Sequence, residues 1–458
     1  MLHVGYAQKD ITPPLPMLMG GAFLKYETDE LHDPIMASCV VADDGRARVA
    51  YASCDLGSVS GDMVQSIRDR VCRVTGTPRE NLFVMATHNH AGPTVQGRCD
   101  RPFADNDTSA LIDRTRETLS ENIAACMIRA HENRVPTRLG YGRGRFDSGA
   151  FNRRFIMSNG RSRMHGGGGF ERLRPEGPVD RDVQTVWFED PAGRPLAVMV
   201  SYAAHPANLY GSRTILADFP GFMRQTLQAV LGEDVPVLYL QGACGNIMCQ
   251  DLETPNAPRG LANARRTGRG LAGEALRLMS ENVPRREDVR VSACRRTVNI
   301  PFRENPPLPF AEAREKWAYY QTRWEEFLKL DIEERGAIHG ALRLAGYKQA
   351  AAEEAEIAAF ALGDVFFVTN PAELFVEYQL DVKERFKGRK VIMTEQTNGR
   401  ISYVPTPLAH ALGGYETIIT RFGPGAGEMI RDTSCALLEQ LIDGRDMQSA
   451  HSAERGKP

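Results

Sequence analysis

His88 and His90 stand one residue apart at the end of an apolar, β-type run. Leu82 to Met85 reads as a buried strand, and Gly92-Pro93 stops it. Residues two apart in extended backbone project from one face, so both imidazoles are expected to leave the strand on the same side. One would serve as a metal ligand and its neighbour as a proton or hydrogen-bond group. A lone His-x-His is more often structural than metallic, so the pair needs partners. His205, followed by Pro206, closes a second apolar run, Met199 to Ala204. Glu373 follows a third, Val365 to Thr369, after Asn370-Pro371-Ala372. A glutamate just past a proline also suits a helix N-terminus, so that role stands beside the ligand role. Two histidines and a glutamate with an open coordination position would make a catalytic zinc site. Such a metal polarises a carbonyl and lowers the pKa of bound water.

Other chemistries lack support. His-Glu-x-x-His and Gly-x-Ser-x-Gly are absent, which removes the common zinc-peptidase and serine-hydrolase signatures. Gly166 to Gly169 lacks the Gly-Lys-Ser/Thr ending of a phosphate loop. Gly140-Tyr141-Gly142-Arg143-Gly144 lacks the spacing of a dinucleotide loop and reads as a strand and turn.

The elements that must position these groups alternate along the chain. Expected strands are 35–41, 48–53, 82–87, 183–188, 196–203, 235–241, 365–369 and 391–394. Expected helices are 62–75, 109–130, 221–231, 259–281, 372–386 and 426–442. This alternation predicts an α/β fold, with a mixed, largely parallel sheet flanked by helices and ligands at one sheet edge. No internal repeat is visible. Two stretches break the rhythm. Residues 159–182, rich in Gly and Arg, are expected to form a mobile surface loop, either a lid or a plain connection. Residues 310–361 read as a helical excursion, with Phe310, Trp317, Tyr320, Trp324 and Phe327 near one stripe. That stripe suits ordinary packing, or the roof of a pocket or an interface. Residues 1–445 are read as one domain and 446–458 as a polar tail.

Bulk numbers bound the partners. The 458 residues carry 56 Lys and Arg against 58 Asp and Glu, a net charge of -2, which argues against nucleic acid as a partner. No signal-peptide pattern and no run long enough to span a bilayer is visible, so stable membrane insertion is not expected. Nine cysteines without paired spacing read as reduced thiols, and a cytoplasmic location is expected.

Several motifs in register resemble one family. Ala86-Thr87-His88-Asn89-His90-Ala91-Gly92-Pro93 is similar to the Ala-Thr-His-Thr-His-Ser-Gly-Pro signature of the neutral/alkaline ceramidase family, in its N-terminal catalytic domain. Asp10-Ile11-Thr12-Pro13, Met19-Gly20-Gly21, Phe151-Asn152-Arg153-Arg154, His205-Pro206 and Ala217-Asp218-Phe219-Pro220-Gly221 resemble further landmarks in the same order. So do Asn370-Pro371-Ala372-Glu373 and the region from Thr397-Asn398 through Tyr403-Val404 to Tyr415-Glu416. The resemblance implies one zinc ion per chain held by His88, His205, Glu373 and Tyr403, with Arg400 where the family has another tyrosine. It implies His90 as a catalytic neighbour and Arg153 as an oxyanion- or carboxylate-binding cation. The family's Gly-Asp-x-Ser-Pro-Asn segment falls on Gly245 to Gln250, where Met248 replaces the serine and cannot act as a nucleophile. The expectation is a zinc-dependent hydrolase cleaving an amide or related acyl bond in a small soluble substrate. A ceramidase with an altered site, or a binding protein on the same scaffold, are the alternatives, and the oligomeric state stays open.

Overall fold

A computed structural model describes residues 1–20, 27–96, 106–281 and 283–455. Gly21 of the Met19-Gly20-Gly21 motif lies outside the described residues. Three sheets share one plan. The first contains β1 (His3–Asp10), β2 (Met36–Asp43), β3 (Arg48–Cys54) and β4 (Leu82–Ala86), with α1 (Gly61–Thr75) joining β3 to β4 and α2 (Asn106–Glu132) following. The second contains β5 (Arg138–Arg145), β6 (Asp182–Glu189), β7 (Pro195–Tyr202) and β8 (Val237–Gln241), with α3 (Asp218–Leu231) between the last two and α4 (Gly260–Ser280) after them. The third contains β9 (Val291–Pro301), β10 (Ala352–Leu362), β11 (Val365–Thr369) and β12 (Lys390–Thr394). Helix α8 (Val376–Arg385) makes the crossover, and after β12 come α9 (Pro407–Leu412), α10 (Tyr415–Ile419) and α11 (Ala426–Arg455).

In each sheet the first three strands form an antiparallel meander, and the fourth joins in parallel at the edge. The expected largely parallel sheet is therefore corrected to mixed sheets that are mostly antiparallel. The physical reason is connection length. Tight turns such as Gly363-Asp364 can join only antiparallel neighbours, and each sheet has a single helical crossover. The same plan occurs three times without a matching sequence repeat, because it rests on strand order and alternation rather than on particular residues.

The alternation explains the packing. Val40, Tyr51, Phe83, Val186, Phe188, Met199, Phe360 and Phe367 point to a central core where the three sheets meet. Their neighbours point outward, onto α1 and α2, onto α3 and α4, or onto α8 and α11. Each sheet is thus buried on both faces, which is why its strands read as apolar runs. Beyond the strand ends the loops lock together. Ala86 N donates to Gln396 O at 3.0 Å, and Glu395 N to Gln241 O at 2.9 Å. The carboxyl ends of the parallel strands therefore meet at one end of the molecule.

The helical excursion is shorter than expected. Helices α5 (Phe310–Tyr320), α6 (Trp324–Lys329) and α7 (Ile332–Tyr347) fill its first part, but residues 352–361 belong to β10. Alanine-rich composition favours a helix there, and burial between β9 and β11 overrides it. Residues 159–182 are also more ordered than expected. Arg154–Met157, Ser162–Met164 and Arg172–Pro175 form a small antiparallel sheet, with the four glycines at positive φ in its turn. Helix α11 continues to Arg455, into the stretch read as a tail.

Candidate metal centre and its cleft

His88 does not sit on extended backbone. Strand β4 ends at Ala86, and His88 adopts φ 65°, a left-handed conformation costly for a non-glycine residue. Local bonds hold it there. Asn89 Nδ2 donates to Asp55 O at 3.2 Å and Leu216 O at 2.7 Å, while its Oδ1 accepts from Ala91 N at 2.9 Å. The rings of His88 and His90 still converge, with centroids 4.8 Å apart. The loop achieves this rather than the strand period.

His205 follows β7 and is fully buried. The loop behind it is tied by Asp218, whose carboxylate accepts from Asn208 N at 2.8 Å and Asn208 Nδ2 at 2.6 Å. Glu373 lies before α8 rather than in its first turn, in a short parallel pairing with Tyr403. The helix-start reading therefore does not apply. Its N–H donates to Ser402 O at 2.9 Å, and Asn370 Oδ1 shapes the turn by accepting from Ala372 N at 3.0 Å.

These loops bring one set of ligand atoms together. His88 Nε2 lies 3.4 Å and His205 Nε2 3.7 Å from the same oxygen of Glu373. His88 Nε2 is 3.3 Å from His90 Nε2. The ligand atoms of His88, His90 and His205 fall within 4.8 Å of one another, a group able to hold a metal ion. His88 Nδ1 faces Gly57 O at 2.8 Å, and His205 Nδ1 faces Cys244 O at 2.6 Å and Ile247 O at 3.0 Å. A carbonyl oxygen only accepts, so each Nδ1 carries a hydrogen and each Nε2 is the ring nitrogen turned toward Glu373. His205 Nε2 is buried without a hydrogen-bond partner, as a ligand atom awaiting a cation would be. Burial and the nearby Arg153 hold the His205 pKa down to about 3, so its ring is neutral. Burial works against the charge on Glu373, yet His88, His205 and Arg400 outweigh it and hold the carboxylate ionised. Imidazole nitrogens around a carboxylate are the donor set that zinc takes.

The other expected residues share the same cleft, a cavity of about 800 Å³. The Tyr403 ring lies 6.4 Å from that of His205, nearly parallel to it. Arg153 Nε donates to Glu416 Oε1 and Nη2 to Gly245 O, both at 2.8 Å, and its guanidinium carbon sits 5.4 Å from the Tyr403 centroid. Burial opposes the charge on Arg153, but Tyr403 and Glu416 more than compensate and raise its pKa. Met248 also lines the cleft, where the resemblance has a serine. Cys249 is a fully buried thiol, and none of the eight described cysteines is paired. The small sheet at 154–175 contributes Arg163 and Met164 to the wall. The excursion roofs the cleft too, but through α7. Its aromatic stripe instead packs into a separate core of Trp317, Phe327 and Ile338.

One contributor carried no signal in the sequence, and a second entered it only as a departure from the family resemblance. Glu395, just past β12, accepts from Leu374 N at 2.7 Å and from Cys244 N at 3.1 Å. It thereby fixes the neighbour of Glu373 and the residue Cys244, whose carbonyl meets His205 Nδ1. Arg400 reaches within 3.7 Å of the second Glu373 oxygen. Glu395 follows an ordinary strand exit, and nothing in its spacing marks it.

Comparison with known proteins agrees with the motifs. Residues 2–226 match the family model described as neutral/alkaline non-lysosomal ceramidase, N-terminal. A neutral ceramidase 3 of Arabidopsis thaliana is 25% identical over 199 residues, which is 42% of this chain. The match spans 26% of that relative's length. The crystal structure of neutral ceramidase from Pseudomonas aeruginosa aligns with a TM-score of 0.69 at 18% identity, over 96% of this chain and 75% of that one. A ceramidase complexed with C2 aligns over the same shares with a TM-score of 0.69 at 17% identity. The resemblance is thus borne out, in sequence over the first half of the chain and in fold over nearly all of it. Among the described residues no helix is long and apolar enough to cross a membrane.

Proposed function

We propose, for a chain that resembles the neutral/alkaline ceramidase family in sequence and fold, a metal-dependent hydrolase that cleaves an amide or related acyl bond. The observation that carries this reading is the convergence of two Nε2 atoms, with Nδ1 held by backbone carbonyls, on one buried carboxylate at the floor of a cleft. His88, His205 and Glu373 would hold the ion, one Zn²⁺ per chain, with Tyr403 as the fourth protein ligand. A bound zinc ion supplies Lewis acidity toward a carbonyl oxygen and lowers the pKa of water.

The remaining roles fall to this chain's own groups. His90, 3.3 Å from His88, is the base or acid that moves a proton between water and the leaving group. Arg153, anchored by Glu416 and Gly245, steadies developing negative charge on the substrate oxygen beside Tyr403. Met248 offers no nucleophilic oxygen, which favours direct attack by water over a covalent route. The whole of residues 1–445 is assigned to this one catalytic domain.

Cleavage of ceramide is the second reading. The family match supports it. The abundance of charged side chains in the cleft favours a small polar acyl compound instead. Metal analysis of the purified protein tests the main reading. About one zinc per chain is expected, with turnover of an acylated amine lost to a chelator and restored by zinc. A protein that stays fully active after exhaustive chelation would end this proposal.

A further inference from the structure

His165 follows the short strand Ser162–Met164 and takes φ 61°, a left-handed conformation that costs a non-glycine residue free energy. The other left-handed side chains show what such strain serves in this chain. His88 aims an imidazole at the cluster, and Asp218 ties the loop behind His205. Gln396, Asn398 and Ser402 shape the loop between β12 and Tyr403, while Asn256 sits in an exposed turn. His165 lines the cleft and remains open to solvent, so a bound molecule can reach it.

Three features hold this turn in place. The His165 N–H donates to Arg153 O at 2.7 Å, and Arg163 Nη2 meets Asp331, the N-cap of α7, at 2.6 Å. Gly168 lets the turn close on Arg163, where an added Cβ would come within 2.6 Å of the guanidinium. The imidazole is therefore presented to the cleft by a built turn. Among the described residues none hydrogen-bonds the ring. The cleft walls strip water from part of it, and Arg153 repels a proton there, so its pKa is pushed down to about 4 and the ring is neutral. A neutral imidazole donates from one nitrogen and accepts at the other. A hydroxyl combines both roles in a single atom, so it can meet either nitrogen, whereas an amide N–H or a carbonyl can meet only one. Gln96 and Gln250, which also donate and accept, line the same cleft. Arg153, beside Tyr403, puts this ring on the side of the cleft where the acyl bond would lie.

We propose that His165 is a specificity-determining residue whose imidazole hydrogen-bonds a hydroxyl of the substrate close to the bond that is cut. This deepens the hydrolase reading by naming a chemical feature of its substrate, and it rests on that reading only for the cleavage itself. The test is calorimetric titration of the zinc-loaded, full-length protein with N-propylacetamide, N-acetylethanolamine and N-propylglycolamide. The second probe replaces the terminal methyl of the first with a hydroxyl, and the third carries its hydroxyl on the acyl side. At least one hydroxylated amide should bind about fivefold or more tightly than N-propylacetamide. The tighter of the two places the hydroxyl on the amine or the acyl side. H165G suits the left-handed backbone and removes the ring, so the preference should fall to near equality. Where H165G fails to fold, NMR reads the ring directly in the unaltered protein. The His165 imidazole resonances should shift with the preferred hydroxylated amide and stay in place with N-propylacetamide. Equal binding of all three probes, no binding by any, a full preference in H165G, or ring resonances that do not respond would overturn the proposal. Amine release separates the two readings. Hydroxyl-selective binding without amine release sinks the hydrolase alone, while amine release with equal affinity for all three probes sinks the His165 contact alone.

Discussion

At the scale of single residues, the site depends on atoms that are aimed before any ligand arrives. His205 is the clearest case, because its Nδ1 is held by two carbonyls and its Nε2 has no other partner. His205→Ala should reduce bound zinc from about one per chain to a small fraction, and turnover should fall by about a thousandfold or more. Metal content by mass spectrometry checks this, and full zinc occupancy in the variant would remove His205 from the ligand set. Glu395 acts one step further out. Glu395→Ala leaves the N–H groups of Leu374 and Cys244 buried without an acceptor, at about 1–3 kcal/mol each. Metal affinity should weaken by roughly 10–100-fold while the protein still folds, read by competition with a chelator. His88, His205 and Glu373 were legible because each closes an apolar run. Glu395 closes one too, yet its value lies in two peptide groups from distant loops, which no local pattern encodes.

At the scale of elements, the helical excursion is separable from the sheet that carries it. Pro301 pairs with Ala352 at the connected end of the β9–β10 pair. Residues 302–351 therefore occupy the place of a hairpin turn. Replacing them with Asn-Gly, a turn suited to two-residue hairpins, should leave a folded chain that binds about one zinc and has lost its substrate affinity. Circular dichroism, metal content and the KM for an acylated amine would read the three outcomes. Failure to fold would show that the excision, with the loss of the packing of α7 on α10, costs the sheets support and not only the cleft. The sequence announced this excursion by its aromatic residues but misplaced its end. Alanine-rich β10 has helical propensity, and only its neighbours on both sides make it a strand.

At the scale of the whole molecule, stability comes from three sheets sharing one core. Phe360 lies at its centre, 4.9 Å from Phe83 and 4.4 Å from Phe367 between ring centroids. Phe360→Ala should cost about 3–5 kcal/mol and still give a single denaturant transition, because all three sheets lose the same core. Separate transitions for different probes would show that the units fold independently. Asp180 ties the second unit to the third through Lys383 Nζ, 2.5 Å away on α8. Burial would raise the Asp180 pKa, but Lys383 and its other hydrogen bonds outweigh this and lower it. A lowered carboxylate stabilises the fold above its ordinary pKa near 4, and the gain is lost as pH falls through the folded value. Lys383→Met leaves Asp180 buried without its cation, so the protein should lose about 3 kcal/mol at neutral pH. Its acid unfolding should begin at a higher pH. An unchanged acid midpoint would mean that the pair contributes little.

The amino-acid sequence alone determined the apolar runs, most of the helices and which polar side chains close those runs, since each depends on a few adjacent residues. It also carried the family resemblance, because those motifs sit at the same strand exits. Only the tertiary structure decided the direction of the strands, the threefold plan and the left-handed turn that aims His88. Only it gathered Arg335 and Arg343 into the cleft that holds the histidines. Those outcomes depend on contacts between residues tens to hundreds of positions apart, and a linear pattern contains no term for them.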